Sequence, residues 1–192
     1  MQYYWRRRYR QRSLWKIIAD GAATLLLALA VLYVMDRFPQ VDFLGSVRVT
    51  DGDSLRRGEQ RIRLFGIDAS ELDQECLDAT GRSYACGQEA KRQLTRLINN
   101  DDISCDVMET DKYRRDVARC RAGSVELNRE MVRLGWAVAY ARHSIDYLVA
   151  EATARSAGRG MWQGRFRRPE DFRSAQRETR GSSIDPEWAE ID

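Results

Sequence analysis

The sequence predicts an α+β, mainly β chain: a five-stranded Greek-key barrel of the OB type with three packed helices, preceded by one transmembrane helix. Three observations predict it. Residues 17–35 form an apolar run behind a basic arm. Residues 45–67 and 103–122 alternate apolar and polar side chains with the period of half-buried strands. Segments 88–100, 125–135 and 144–158 place apolar residues at helical spacing. Short strands interrupted by helices in this order make a small Greek-key barrel.

The arm, residues 1–16, holds Arg6, Arg7, Arg8, Arg10, Arg12 and Lys16 and no acid. Subtracting those six from 32 basic residues leaves 26 against 29 acids, so the remainder carries −3 and is no general polyanion binder. Residues 17–35, IIADGAATLLLALAVLYVM, contain a single charge, Asp20, and have about the length of a bilayer-crossing helix. They predict an uncleaved single-pass anchor. The arginines before it put the N-terminus inside and the folded domain on the periplasmic or extracellular side of the cytoplasmic membrane. The membrane is then a partner through this helix. Residues 36–43 read as a linker, 44–166 as the folded domain, and 167–192 as a polar, disordered tail.

Within the domain, GSVRVTDGDSLRR (45–57) and RIRLFGI (61–67) read as strands around an RRGEQ turn. A polar excursion follows from Leu72 to Gly87. The helix at 88–100 has apolar or small residues at 90, 94, 97 and 98. ISCDVMET (103–110) and DVARCRA (116–122) read as antiparallel strands around DKYRR, with Cys105 opposite Cys120. VELNREMVRLG and SIDYLVAEATARSAG are helices ending on glycine, with the strand WAVAYA (136–141) between them. Four cysteines allow three pairings. Cys76–Cys86 and Cys105–Cys120 close short loops and suit an oxidising compartment. Their spacing, with one histidine in the chain, argues against a zinc site.

The chemistry lies in charged turns. Asp53 follows the first strand and Asp68 ends a neighbouring one, so the fold brings two hard carboxylates to one rim, suited to Ca²⁺. Glu71, three residues beyond Asp68, is placed to hold a water beside that cation. Arg63 offers a planar fork for phosphate oxygens, and Lys112, Tyr113 and Arg115 stand on a hairpin turn at the same rim. Those are the parts phosphodiester hydrolysis needs. Tyr140 is either a base-stacking platform or an ordinary strand aromatic. Ser70 has no adjacent histidine and is no nucleophile. His143 reads as solvent-facing or capping, and Trp136, Met161 and Trp162 as packing.

The series VTDGDS, RIRLFGIDASE, GQEAKRQL, TDKYRR, LNREMVRLGWAVAY and SAGRGMW, from about Leu44 to Trp162, resembles the thermonuclease family of staphylococcal-type nucleases. The resemblance implies a Ca²⁺-dependent, monomeric nuclease that hydrolyses DNA and RNA, preferably single-stranded, with little sequence specificity and leaves 3′-phosphates. Asp53 and Asp68 match its calcium carboxylates, and Ala69 the position that lends a backbone carbonyl. Glu71 matches the general base or water-orienting group. Arg63 and Arg115 match the phosphate-binding arginines, and Lys112 and Tyr113 the residues contacting a terminal phosphate. Two positions depart. Ser70 replaces the usual proline, which predicts a looser turn under Glu71. Arg114 replaces a glycine; it is either strained at positive φ by about 1–2 kcal/mol or adds a phosphate contact. The alternative reading is a catalytically weak or inactive OB module binding nucleic acid or another polyanion. Rhizobial relatives placed in exopolysaccharide synthesis open that pathway as its context.

Overall fold

The structure is a computed structural model describing residues 17–31, 33, 41–142 and 144–182. The chain divides into two units, Met1–Gln40 and Val41–Asp192. In the first, residues 17–31 form an exposed helix, α1. Among the described residues no helix is long and apolar enough to cross a membrane. The expected transmembrane anchor is therefore corrected. With it go the single-pass placement in the cytoplasmic membrane, the assignment of the domain outside it, and the membrane as a partner. The basic arm and His143 lie outside the described residues.

The second unit is a mixed α+β domain. Its strands are β1 (Val41–Gly45), β2 (Arg48–Asp51), β3 (Ser54–Arg57), β4 (Gln60–Leu64), β5 (Ile67–Ala69), β6 (Cys76–Leu77), β7 (Ser83–Tyr84), β8 (Ile103–Thr110), β9 (Asp116–Ala122), β10 (Val125–Glu126) and β11 (Ala137–Ala139). Its helices are α2 (Cys86–Ile98), α3 (Leu127–Arg133), α4 (Leu148–Ser156) and α5 (Pro169–Ser182), with a 3₁₀ turn at Gly160–Gln163. The main sheet runs β1-β8-β9-β4-β3-β2 with β10 beside β9, while β11 pairs with β5 and β6 with β7. Backbone pairing among the described residues leaves this path open, so hydrogen bonds alone do not close the five-stranded barrel expected from the sequence.

Local sequence explains the pieces that matter for the site. The run RIRLFGI is two strands, because Gly66 turns the chain at φ +71°, and a Cβ there would stand 2.9 Å from the Tyr147 ring. β4 stays in the main sheet, parallel to β9, whereas β5 leaves it to pair with β11. β8 and β9 pair with Cys105 opposite Cys120, and the register shifts between Val107 and Glu109, a bulge at Met108. Both expected disulfides, Cys76–Cys86 and Cys105–Cys120, are present. Ala90, Leu94 and Ile98 bury one face of α2 against a core that includes Leu55, Ile62, Leu64, Leu127 and Met131. Asn128 of α3, fully buried, accepts from the Cys120 N–H and donates to the Phe65 and Ala118 carbonyls, tying the helix to β9 and the end of β4.

The polar stretch expected as a disordered tail is helical over Pro169–Ser182. Its anchors are polar. Leu77 and Arg165 exchange backbone hydrogen bonds of 2.8 and 3.1 Å. Gln74 Nε2 donates to the Arg167 carbonyl at 2.7 Å, and Gln176 Nε2 to Asp73 at 2.8 Å.

Candidate active site

The β2–β3 turn carries Asp53 into the interior. Gly52 permits this: a Cβ there would fall 2.7 Å from the methyls of both Ala69 and Ala90, so the turn lies directly on β5 and α2. Asp53 is buried, accepting from Ser54 Oγ at 2.9 Å and from the Ala69 N–H at 3.3 Å. Arg63 lies on β4 opposite Ser54. Its Nη2 is 3.0 Å from Asp53 Oδ2 and 2.8 Å from Asp68 Oδ1, so one guanidinium nitrogen joins the two aspartates. Asp68 sits on β5 opposite Val138 and is only 1% exposed.

Burial opposes ionisation of Asp53, but Arg63 and hydrogen bonds with Asp51, Ser54 and Ala69 hold its carboxyl below the ordinary range. Asp51 goes the other way: burial and then the Asp53 charge push it up to about 7. The two neighbouring acids are thus separated, one ionised and one retaining its proton well above the normal carboxylate range. The Arg63 guanidinium is held charged by Asp53 against desolvation, with help from Asp68.

Glu71 follows on a tight turn. Gln74, fully buried, accepts from the Glu71 N–H at 3.3 Å, and the Gln74 N–H donates to the Glu71 carbonyl at 2.8 Å. Ser70 is buried beneath, its hydroxyl 2.9 Å from Met161 Sδ and 3.7 Å from Cys86 Sγ. The hydroxyl that stands in for the proline ring thus packs on the Cys76–Cys86 disulfide rather than leaving the turn unsupported.

The second cationic group stands on the β8–β9 turn. Asp111 accepts from the Tyr113 and Arg115 N–H groups at 2.9 and 3.0 Å and from Arg115 Nε at 2.8 Å. Arg61 donates to the Tyr113 carbonyl. Lys112 Nζ lies 5.1 Å, and Arg115 Cζ 5.4 Å, from the centre of the exposed Tyr113 ring. Arg114 is exposed at φ +58°, the left-handed conformation for which the absent glycine is suited.

A cavity of about 680 Å³ gathers these groups. Asp53, Arg63, Ala69, Glu71, Lys112, Tyr113, Arg115 and Tyr140 all line it, together with Asp51, Glu109 and Asp111. Asp68 stands behind the lining and reaches it through the guanidinium groups that it binds. Trp162 and Met161 pack away from the cavity, with the Trp162 and Phe166 rings 4.8 Å apart edge to face.

Sequence reasoning missed one participant. Arg173, on α5, donates from Nη1 and Nη2 to the two oxygens of Asp68 at 3.0 and 2.9 Å, and from Nη1 to Glu71 Oε1 at 2.8 Å. These carboxylates hold it charged despite partial burial. The residue gave no signal, since it lies in a charged run with little apolar periodicity. Among the described residues no group of three or more histidine, cysteine or acidic side chains is arranged to hold a metal ion. Guanidinium nitrogens stand between the acids instead.

The model of the staphylococcal nuclease homologue family matches residues 61–164. The succinoglycan biosynthesis protein ExoI of Rhizobium meliloti is 32% identical over 137 residues, 70% of this chain and 72% of that protein. An uncharacterized endonuclease of Haemophilus influenzae is 32% identical over 146 residues, 72% of this chain and 75% of that protein. A probable endonuclease LCL3 of Verticillium alfalfae is 27% identical over 164 residues, 73% of this chain and 56% of that protein. This chain belongs to the family of staphylococcal nuclease homologues.

Proposed function

We propose that the protein is a Ca²⁺-dependent nuclease that hydrolyses phosphodiester bonds of DNA and RNA with little sequence specificity and leaves 3′-phosphates. The observation that carries this reading is the single Arg63 nitrogen joining Asp53 and Asp68 beside Glu71, on a cavity shared with Arg115, Lys112 and Tyr113. Asp53 and Asp68 would supply hard carboxylate oxygens and Ala69 a backbone carbonyl, the ligand types calcium takes, once the guanidinium groups between the acids move aside. Bound there, Ca²⁺ supplies positive charge against the phosphate.

The chain's own residues do the rest. The Arg63 and Arg115 forks bind the non-bridging oxygens of the scissile phosphate and offset the charge that grows on them. Glu71 orients the attacking water and takes its proton as the water oxygen bonds to phosphorus and the phosphorus–5′-oxygen bond breaks, the departing 5′ oxygen taking a proton from solvent. Lys112 and Tyr113 contact a neighbouring or terminal phosphate, and Tyr140 offers a ring on which a base stacks. An unpaired strand suits this cavity, because its bases are free to stack and its phosphates to turn inward. We read the sheet as the OB-type barrel within the same account, acting as a monomer, over residues 44–166.

The name of the Rhizobium meliloti relative supports an exopolysaccharide context for the pathway. The cavity's cations favour a phosphate-bearing polymer over a neutral sugar. The test is turnover of single-stranded DNA and RNA by the full chain, in Ca²⁺ and in chelator. Cleavage is expected only in Ca²⁺, and Glu71→Gln lowers the rate about 10²–10⁴-fold. Equal rates in Ca²⁺ and chelator contradict the cation's role.

A further inference from the structure

We propose that Arg173 is a built-in occupant of the cation position: the α5 guanidinium and a divalent cation exclude each other at Asp68 and Glu71. This rests on the Ca²⁺ reading above and adds a residue that sets the site's cation affinity.

Three observations carry it. First, both oxygens of Asp68 are engaged by guanidinium groups. Its Oδ1 accepts from both Arg63 and Arg173, its Oδ2 accepts from Arg173, and its side chain is 2% exposed. A cation reaching Asp68 must therefore displace a guanidinium. Arg63 and Arg173 each bridge two carboxylates, and Arg173, on α5 and the more exposed of the two (28% against 21%), is the one with the easier path to solvent.

Second, the charges balance in one of two ways. Counting only these side chains, Asp53, Asp68 and Glu71 carry three negative charges against the one of Arg63 once Arg173 is removed, an excess of two that a dication neutralises. With Arg173 in place the excess falls to one. A guanidinium and a dication sharing one buried carboxylate repel at close range in a poorly screening interior. Third, the same fork holds Glu71 Oε1, so the group proposed to orient the water is engaged until Arg173 departs.

The segment keeps other anchors when this contact is lost, so the helix loosens without undocking. The Leu77–Arg165 backbone pair, the Gln74–Arg167 bond, the Gln176–Asp73 bond and the 2.7 Å Arg168–Glu151 ion pair all lie elsewhere along the segment. Arg173 is thus a removable plug on an anchored arm.

The test is calorimetric titration of the full chain with Ca²⁺, without nucleic acid, for wild type and Arg173→Gln, together with hydrogen exchange of residues 169–182. The variant is expected to bind Ca²⁺ about tenfold more tightly. In wild type Ca²⁺ speeds exchange across residues 169–182, and in the variant it does not. Arg173→Lys, which keeps a charge but loses the fork, falls between the two affinities. Equal or weaker binding by Arg173→Gln, or no response of the helix in wild type, overturns the exclusion while leaving the cation reading intact. Absence of Ca²⁺ binding in both chains overturns the cation reading and the exclusion with it.

Discussion

Arg63 sits between two buried aspartates whose pairing with it is 3.0 Å on one side and 2.8 Å on the other. Removing such a partner leaves uncompensated buried charge, which is far costlier than losing an exposed ion pair. Arg114 is the opposite case, an exposed residue whose energy lies in its backbone. At φ +58° an L side chain crowds its own carbonyl, whereas glycine does not. Arg114→Gly is therefore expected to stabilise the protein by about 0.5–1 kcal/mol, after allowing for glycine's greater freedom when unfolded. Denaturant unfolding of both chains checks this, and a less stable glycine variant means Arg114 makes a compensating contact. The positive φ was legible in the sequence, from the glycine the resemblance leads one to expect. The proton on Asp51 was not, because its shift to about 7 arises from burial and from Asp53 rather than from any pattern in TDGDS.

At the scale of elements, the excursion between β5 and α2 links the site to α5. Gln74 is its pivot, bonded at one end to the Glu71 turn and at the other to the Arg167 carbonyl. Gln74→Ala leaves a backbone N–H and a carbonyl without these partners, at a cost of about 1–3 kcal/mol. The same substitution is expected to raise hydrogen exchange in both the Glu71 turn and α5. Exchange raised in only one of them shows that the two are not coupled through this side chain. The elements legible in the sequence were those with an apolar face. Alternation marked β8 and β9, and their register put Cys105 against Cys120. Helical spacing at Ala90, Leu94 and Ile98 marked α2. α5 is not legible in the sequence because PEDFRSAQRETRGS docks through arginine, glutamine and backbone groups, which periodicity does not detect. The split of RIRLFGI into two strands was hidden for a related reason: the Gly66 turn is dictated by the distant Tyr147 ring.

For the molecule as a whole, Tyr147 joins α4 to the β9–α3 region. It is fully buried, and its hydroxyl donates to Glu126 at 2.9 Å. Burial and the Glu126 carboxylate push its pKa up to about 12 from 10. The folded state therefore keeps a proton that the unfolded chain loses first. This contribution is intact below pH 10 and disappears as pH rises through about 12, a loss of roughly 2–3 kcal/mol. Tyr147→Phe should remove that alkaline slope from the unfolding free energy, and an unchanged slope assigns it to other groups. The central claim concerns chemistry at the arginine–carboxylate cavity. Its most direct test is mass analysis of the products when the full chain acts on a single-stranded oligonucleotide in Ca²⁺, beside Glu71→Gln. The account predicts fragments ending in 3′-phosphate, lost in the variant. Intact oligonucleotide retained in a salt-sensitive complex would contradict it and make the protein a nucleic-acid-binding module.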